Sequence, residues 1–307
     1  MTTPEPPTLR HWFMIATLGL VWGATFMFIE IALGGLPPFW LAAWRLTLGA
    51  ALMLVIWRIM GGRYRIGTDP RARWPYVLIC GVISTVVPFT LLSWGQLHVV
   101  SSFAGVSMAT IPLMVLPLAH FFVPGDQLTR RKSLGFGLGF AGTLLLIGPQ
   151  AVASSGSDLE NWGRLACFGA AACYAISSII LRNCPPIDPI AMATLLLAVG
   201  AVIGVPLAWA MEGPPTLPAT EPLVALLILA FIPTAAANYL RVLVVRSAGP
   251  TFMTLTNFQV PLWSLAFGAL ILGEPLPKTL LVALVLILSG LTLSQWSSLR
   301  RLFGARM

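Results

Sequence analysis

Thr234, Asn238 and Arg241 stand at i, i+4 and i+7, which places a hydroxyl, an amide and a guanidinium on one face of a helix otherwise made of small and aliphatic residues. A face so polar does not belong against lipid, and a guanidinium presents a planar fork suited to a carboxylate or phosphate. Arg241 also lies five residues before Arg246, about 7 Å along a helix, so a cation snorkelling to the helix end is the competing reading. Other groups recur one helical turn apart: Trp22 with Thr25, Tyr174 with Ser177, and Thr110 with Ser107 and Met114. Asn257, Gln259 and Trp263 follow on a later segment. Together they offer a cation, hydrogen-bonding groups and the apolar walls Trp22, Tyr174 and Trp263, a set that fits a small amphipathic solute such as an amino acid or organic acid. Ser and Thr also serve to bind helices to one another; the amides Asn238 and Asn257 are costlier to bury and read more strongly as binding groups.

Two further charges fall within apolar segments, Glu30 and Arg45. An ion pair between neighbouring helices relieves both, so Arg45 is expected to be structural with Glu30 as its partner. His98 and His120 stand near segment ends, and neither has an evident nucleophile partner; no aspartate lies in a segment core. The residues thus lack the paired acid, base and nucleophile that an intramembrane enzyme needs, and no enzyme is expected. Cys80, Cys167, Cys173 and Cys184 form no CxxC pair and read as packing residues, so neither a metal site nor a cofactor is expected.

The elements that must position these groups follow from composition. In 307 residues, 57% hydrophobic and 9% charged, with a mean hydropathy of +0.88, there is too little polar surface to close a water-soluble globule. Ten apolar runs, near 12–34, 38–58, 74–97, 101–122, 132–149, 162–181, 188–210, 221–245, 251–272 and 279–297, are each long enough to cross about 30 Å of hydrocarbon as an α-helix. The first run is too long for a signal-peptide core and reads as a retained helix. The net charge of +8 gathers in loops: Arg58, Arg63, Arg65, Arg71 and Arg73; Arg130, Arg131 and Lys132; Arg300, Arg301 and Arg306. These fall on one side together with Arg10, and the positive-inside rule puts both termini in the cytoplasm. The basic surplus therefore meets lipid headgroups rather than nucleic acid.

Laid on itself at an offset of 149, the chain matches Ile83 to Ile232, Thr85 to Thr234, Phe103 to Phe252 and Pro112 to Pro261. After a one-residue slip, Gly125-Asp126 meets Gly273-Glu274 and Gly142 meets Gly290. The reading is two five-helix repeats, 1–150 and 151–307; an odd helix count inverts the second copy in the membrane. Inverted repeats of this kind build secondary transporters with a site near the midplane and alternating access. Pro112 and Pro261, at equivalent places, are the expected hinges. Arg241 and Asn238 have Leu92 and Phe89 as their equivalents, so the polar face is an asymmetry between the halves.

The stretches WGATF (Trp22 to Phe26), AAWRLTLGAAL around Arg45, IPLMVLPLAHFFVPGDQLT and VPLWSLAFGALILGEPLP resemble the EamA-type members of the drug/metabolite transporter superfamily over nearly the whole chain. The resemblance implies ten transmembrane helices in two inverted repeats, cytoplasmic termini, and a cavity lined chiefly by helices 1, 3, 4, 6, 8 and 9. It implies a multi-pass protein of the plasma membrane, the inner membrane in a bacterium, and a carrier, with export favoured and import or exchange open. Asp126 replaces the family's usual Glu, and Pro117 is an additional proline in the fourth run. A lipid-handling or non-transporting helper subunit is the alternative, because short relatives in the superfamily move lipid-linked sugars. Gly135 and Gly139, spaced as GxxxG in the fifth run, permit close helix approach, either within the chain or in a homodimer.

Overall fold

The computed structural model describes residues 8–61, 74–122, 129–147, 158–184, 187–248, 250–253, 255–296 and 299–300. Among them there is no strand. The helices are α1 (Leu9–Leu33), α2 (Pro38–Ile59), α3 (Trp74–Gly95), α4 (Ser101–Phe122), α5 (Arg130–Ile147), α6 (Glu160–Asn183), α7 (Pro189–Glu212), α8 (220–248), α9 (Thr256–Leu270, after the single turn Pro250–Met253) and α10 (Lys278–Ser294). Seven of them, α1 to α4 and α6 to α8, are long and apolar enough to cross a membrane. Arg63, Arg65, Arg71, Arg73, the Gly125-Asp126 pair, Arg301 and Arg306 lie outside the described residues.

Local chemistry accounts for the helix ends. Pro38 and Pro189 occupy first-turn positions, where a missing N–H costs nothing. Asp188 caps α7 through its Oδ1, which accepts from the N–H groups of Ile190 at 3.0 Å and Ala191 at 3.1 Å. Gly213 ends the same helix at φ 74°, a conformation that favours glycine.

Two remote carboxylates complete other helix ends. Glu212 accepts from the backbone N–H groups of Phe39 (3.1 Å) and Trp40 (2.9 Å) at the start of α2. Glu274 accepts from those of Ser101 (2.7 Å) and Ser102 (2.9 Å) at the start of α4. An anion on the exposed N–H groups of a helix start is favoured by hydrogen bonding and by the helix dipole. Replacing Glu212 by alanine should lower stability by about 1–2 kcal/mol, the usual cost of a lost N-terminal cap. Thermal melting of the detergent-solubilised protein measures it, and an unmoved melting temperature refutes the role.

Both α3 and α8 contain a π-helical segment, Val82–Val86 and Ala230–Ala236. At the offset of 149 the two segments overlap; Pro88 follows the first by two residues, and Pro233 lies within the second. Proline supplies no N–H and crowds the preceding turn, and the wider π turn absorbs that lost register. Segments of this type recur at functional sites because they bend the helix and release carbonyls.

Glycine sets the tightest helix contacts. Gly19 and Gly23 of α1 face Gln259 and Trp263 of α9, so a Cβ at Gly23 would stand 2.3 Å from that of Trp263. Gly135 of α5 lies against Gly290 and Ser294 of α10, and Gly290 in turn meets the backbone of Gly135 and Gly139. The GxxxG pair of α5 is therefore spent inside the chain, and the contact surface that the sequence offered for a homodimer is already covered by α10.

Candidate functional site

Arg45 is a cation within α2. It is buried, and its Nε donates to Thr234 Oγ1 at 3.2 Å, inside the π segment of α8. The guanidinium carbon sits 4.2 Å from the centre of the Phe89 ring on α3, a cation–π contact. Tyr174 of α6 lies within electrostatic reach. Three of the helices expected to line the cavity thus converge on one arginine of α2. No described carboxylate pairs with it, and Glu30 is not its partner. The expected Glu30–Arg45 ion pair is replaced by two separate environments, because Arg45 turns toward α8 and α3 while Glu30 turns toward Gln96, at the far end of α3.

Trp22 joins the same region. Its indole Nε1 donates to the carbonyl of Pro233 at 3.3 Å, one residue before Thr234. Asn238 Nδ2 donates to the carbonyl of Thr234 itself. The proline and the wide turn free carbonyls, and two of the sequence-selected side chains satisfy them. Trp22, Thr234, Asn238 and Tyr174 are thereby brought together around Arg45.

Arg241 presents an exposed side chain. It lies two turns along α8 from Thr234, on the face that Asn238 shares. The remaining residues are dispersed. Thr25 and Ser177 are buried and donate back to their own helices, at Val21 (3.1 Å) and Tyr174 (3.0 Å). Thr110 does the same at Ser107, 2.6 Å away, in a short 3₁₀ turn, Met108–Thr110, that precedes Pro112. Asn257 is half-buried near the start of α9, and Trp263 stacks on Phe267 at 5.8 Å. Pro261 is buried inside α9.

Sequence reasoning missed Phe89 and Gln96 as site neighbours, and it weighed Arg45 as structural. The arginine in a transmembrane run was a visible signal; what it would meet depended on the folding of three other helices.

An all-helical bundle with a buried cation, freed carbonyls and seven apolar spans defines an integral membrane protein with a polar interior. A sequence model of the EamA-like transporter family matches residues 10–148 and again 161–296. The chain belongs to the EamA-like transporter family, and it is a multi-pass membrane transporter. It is similar to the uncharacterized transporter YvbV of Bacillus subtilis (strain 168), at 22% identity over 94% of this chain and 92% of that protein. YoaV of the same organism, also an uncharacterized transporter, is 23% identical over 94% and 97%. A probable terminal-alkyne amino-acid exporter of Streptantibioticus cattleyicolor is 26% identical over 44% of this chain and 43% of its own length. A solved crystal structure shares the fold with a TM-score of 0.66 at 21% identity, covering 93% of this chain and 98% of that one.

Proposed function

We propose that the chain exports small amphipathic metabolites bearing an anionic group, amino acids or organic acids, by alternating access between two inverted five-helix repeats, 1–150 and 151–307. In this reading all ten helices cross the plasma membrane, the inner membrane of a bacterium, with both termini in the cytoplasm. The observation that carries it is Arg45, a guanidinium buried about 10 Å along α2 with no carboxylate beside it among the described residues. A charge in such a place is paid for by a partner, and the substrate's carboxylate supplies one. Support for the repeat comes from the two matches to one family model and from the overlapping π segments of α3 and α8. Support for amino-acid export comes from one relative, the probable terminal-alkyne amino-acid exporter, which matches part of the chain.

In this reading Thr234, Trp22, Tyr174 and Asn238 border the substrate, Arg241 extends the positive field toward the cytoplasmic mouth, and Thr25, Ser177, Thr110, Asn257 and Trp263 line the path. Pro112 and Pro261 are the hinges about which α4 and α9 rock. Counterflow of labelled amino acids and dicarboxylates in proteoliposomes tests the reading, and no flux for any of them favours a helper subunit. Arg241→Ala should reduce flux of anionic substrates about tenfold, the worth of one charge-assisted hydrogen bond, with melting behaviour intact. Unchanged flux returns Arg241 to the snorkelling class.

A further inference from the structure

A second polar cluster lies away from Arg45, where α1 and α9 end and α4 begins. Gln96, directly after α3, is buried; its Nε2 donates to the carbonyl of Phe26 at 2.8 Å and its amide also bonds Glu30. Glu274, just past α9, lies within electrostatic reach of Glu30 and is held on the first N–H groups of α4. The cluster is short of partners. Glu30 Oε2, Gln96 Oε1 and the hydroxyls of Ser101 and Ser102 are all sealed from solvent without a hydrogen bond, and both serines are fully buried.

We propose that Glu30, Gln96 and Glu274 form a proton-binding site at the outer end of the carrier, with Glu30 the group that takes and releases the proton that drives transport. The proposal rests on the transporter reading given above. The two carboxylates are unequal. Glu274 receives two backbone N–H bonds at the positive end of α4. Glu30 receives only the amide of Gln96, while its other oxygen faces protein with no donor. Two carboxylates sharing one site do not both ionise freely, and Glu30, with an oxygen that lacks a hydrogen-bond donor, is the one to which we assign the proton.

The charges around Glu30 support this assignment. From α2, Arg45 is turned to Thr234 and Phe89. From α6, Arg164 is paired with Glu160. From α8, Glu221 is exposed in the first turn and Arg241 lies toward the other end. From α10, Lys278 is exposed. Glu274 is the charge whose field reaches Glu30.

The placement also links the proton to a gate. Glu274 ties the end of α9, in the second half of the chain, to the start of α4, in the first, and Ser264 Oγ adds a 3.3 Å bond to the carbonyl of Ser101. With Glu30 neutral, the tie carries one negative charge and holds. When Glu30 loses its proton, two like charges meet in a buried site, and the tie between α4 and α9 loosens. A proton taken from outer water by the carboxylate of Glu30 closes the outer side; its release to the cytoplasm precedes substrate binding there, and the deprotonated, loaded carrier then opens outward and discharges substrate before the next proton binds, which completes an antiport cycle with no other reactant.

Infrared difference spectroscopy on the reconstituted full chain, stepped from acid to alkaline pH, reads the proton directly. The parent should show a protonated-carboxyl C=O stretch that disappears on alkalinisation and is missing in Glu30→Gln. Persistence of that band in Glu30→Gln, or no titrating band in the parent, overturns the proposal. If Glu30→Gln does not fold, Gln96→Met serves: it should displace the titration, and an unmoved midpoint overturns the proposal equally. Counterflow of labelled leucine and succinate in the same vesicles separates the two readings. A parent rate that varies with pH, against a Glu30→Gln rate that does not, is the expected result. A parent with the infrared band but no flux for any solute defeats the transporter reading and leaves the proton site standing.

Discussion

Arg45→Met should abolish counterflow of anionic substrates while leaving the protein as stable as the parent, or more so. Methionine fills much of the volume of the arginine stem and carries no charge into the bundle. Replacing a buried ion by an apolar residue of similar size is often neutral or stabilising, because the desolvation cost disappears with the charge. The lost bond to Thr234 Oγ1 at 3.2 Å and the Phe89 contact at 4.2 Å subtract about 1 kcal/mol each, which the recovered solvation offsets. Transport has no such compensation. Two charge-assisted bonds to a carboxylate are worth about 3 kcal/mol or more, roughly a hundredfold in rate at low substrate. Arg45→Lys keeps the charge without the fork and should fall between. Thr234→Val removes the internal partner alone and should change flux far less than Arg45→Met. If Arg45 is only a bolt between α2 and α8, the ordering reverses: Arg45→Met melts early, and whatever remains folded still transports.

The helices were legible because long apolar runs announce themselves; each run contains a helix, and seven of these are long and apolar enough to cross a membrane. The prolines were legible for the same reason, and the repeat offset relates Pro112 to Pro261. What the prolines do locally was not. The π segments, one just before Pro88 and one containing Pro233, depend on which carbonyls a neighbouring helix satisfies, and Trp22 lies 211 residues from the carbonyl it bonds.

Charge was harder to read than hydrophobicity. Glu30 and Arg45 looked like partners because they are opposite charges on adjacent helices. Electrostatics in low dielectric is decided by a few ångströms and by the rotation of each helix, and neither quantity is written in one chain's spacing. The capping roles of Glu212 and Glu274 were equally unwritten in local spacing. Their targets, the starts of α2 and α4, lie 172 and 173 residues away. Arg241 attracted notice as a charge in an apolar run, yet the fold places Arg45 at the convergence of α2, α3, α6 and α8.

Gly290→Leu should be the most damaging single substitution in the α5–α10 pair, and Gly137→Ala on α5 should be harmless. A Cβ at Gly290 would stand 2.5 Å from both Gly135 O and Gly139 N, and these are backbone atoms that no rotamer change can move aside. The helices must separate by about 1 Å or more, and every contact along the pair loosens with them; overpacking in such a core costs about 1–3 kcal/mol before the longer leucine is counted. In lipid the consequence is sharper than in water, because helix pairs there are held by close packing and not by exclusion of solvent. Gly137 is the internal control, since a Cβ at that position meets nothing within 4 Å. Alanine there removes backbone freedom from the unfolded chain and gains up to about 1 kcal/mol of helix propensity. Thermal melts of the two variants in one detergent should therefore move in opposite directions. Equal destabilisation by both would mean that α5 makes a further contact through its Gly137 face, as a second copy of the chain would, and cross-linking of Gly137→Cys between protomers would then detect it.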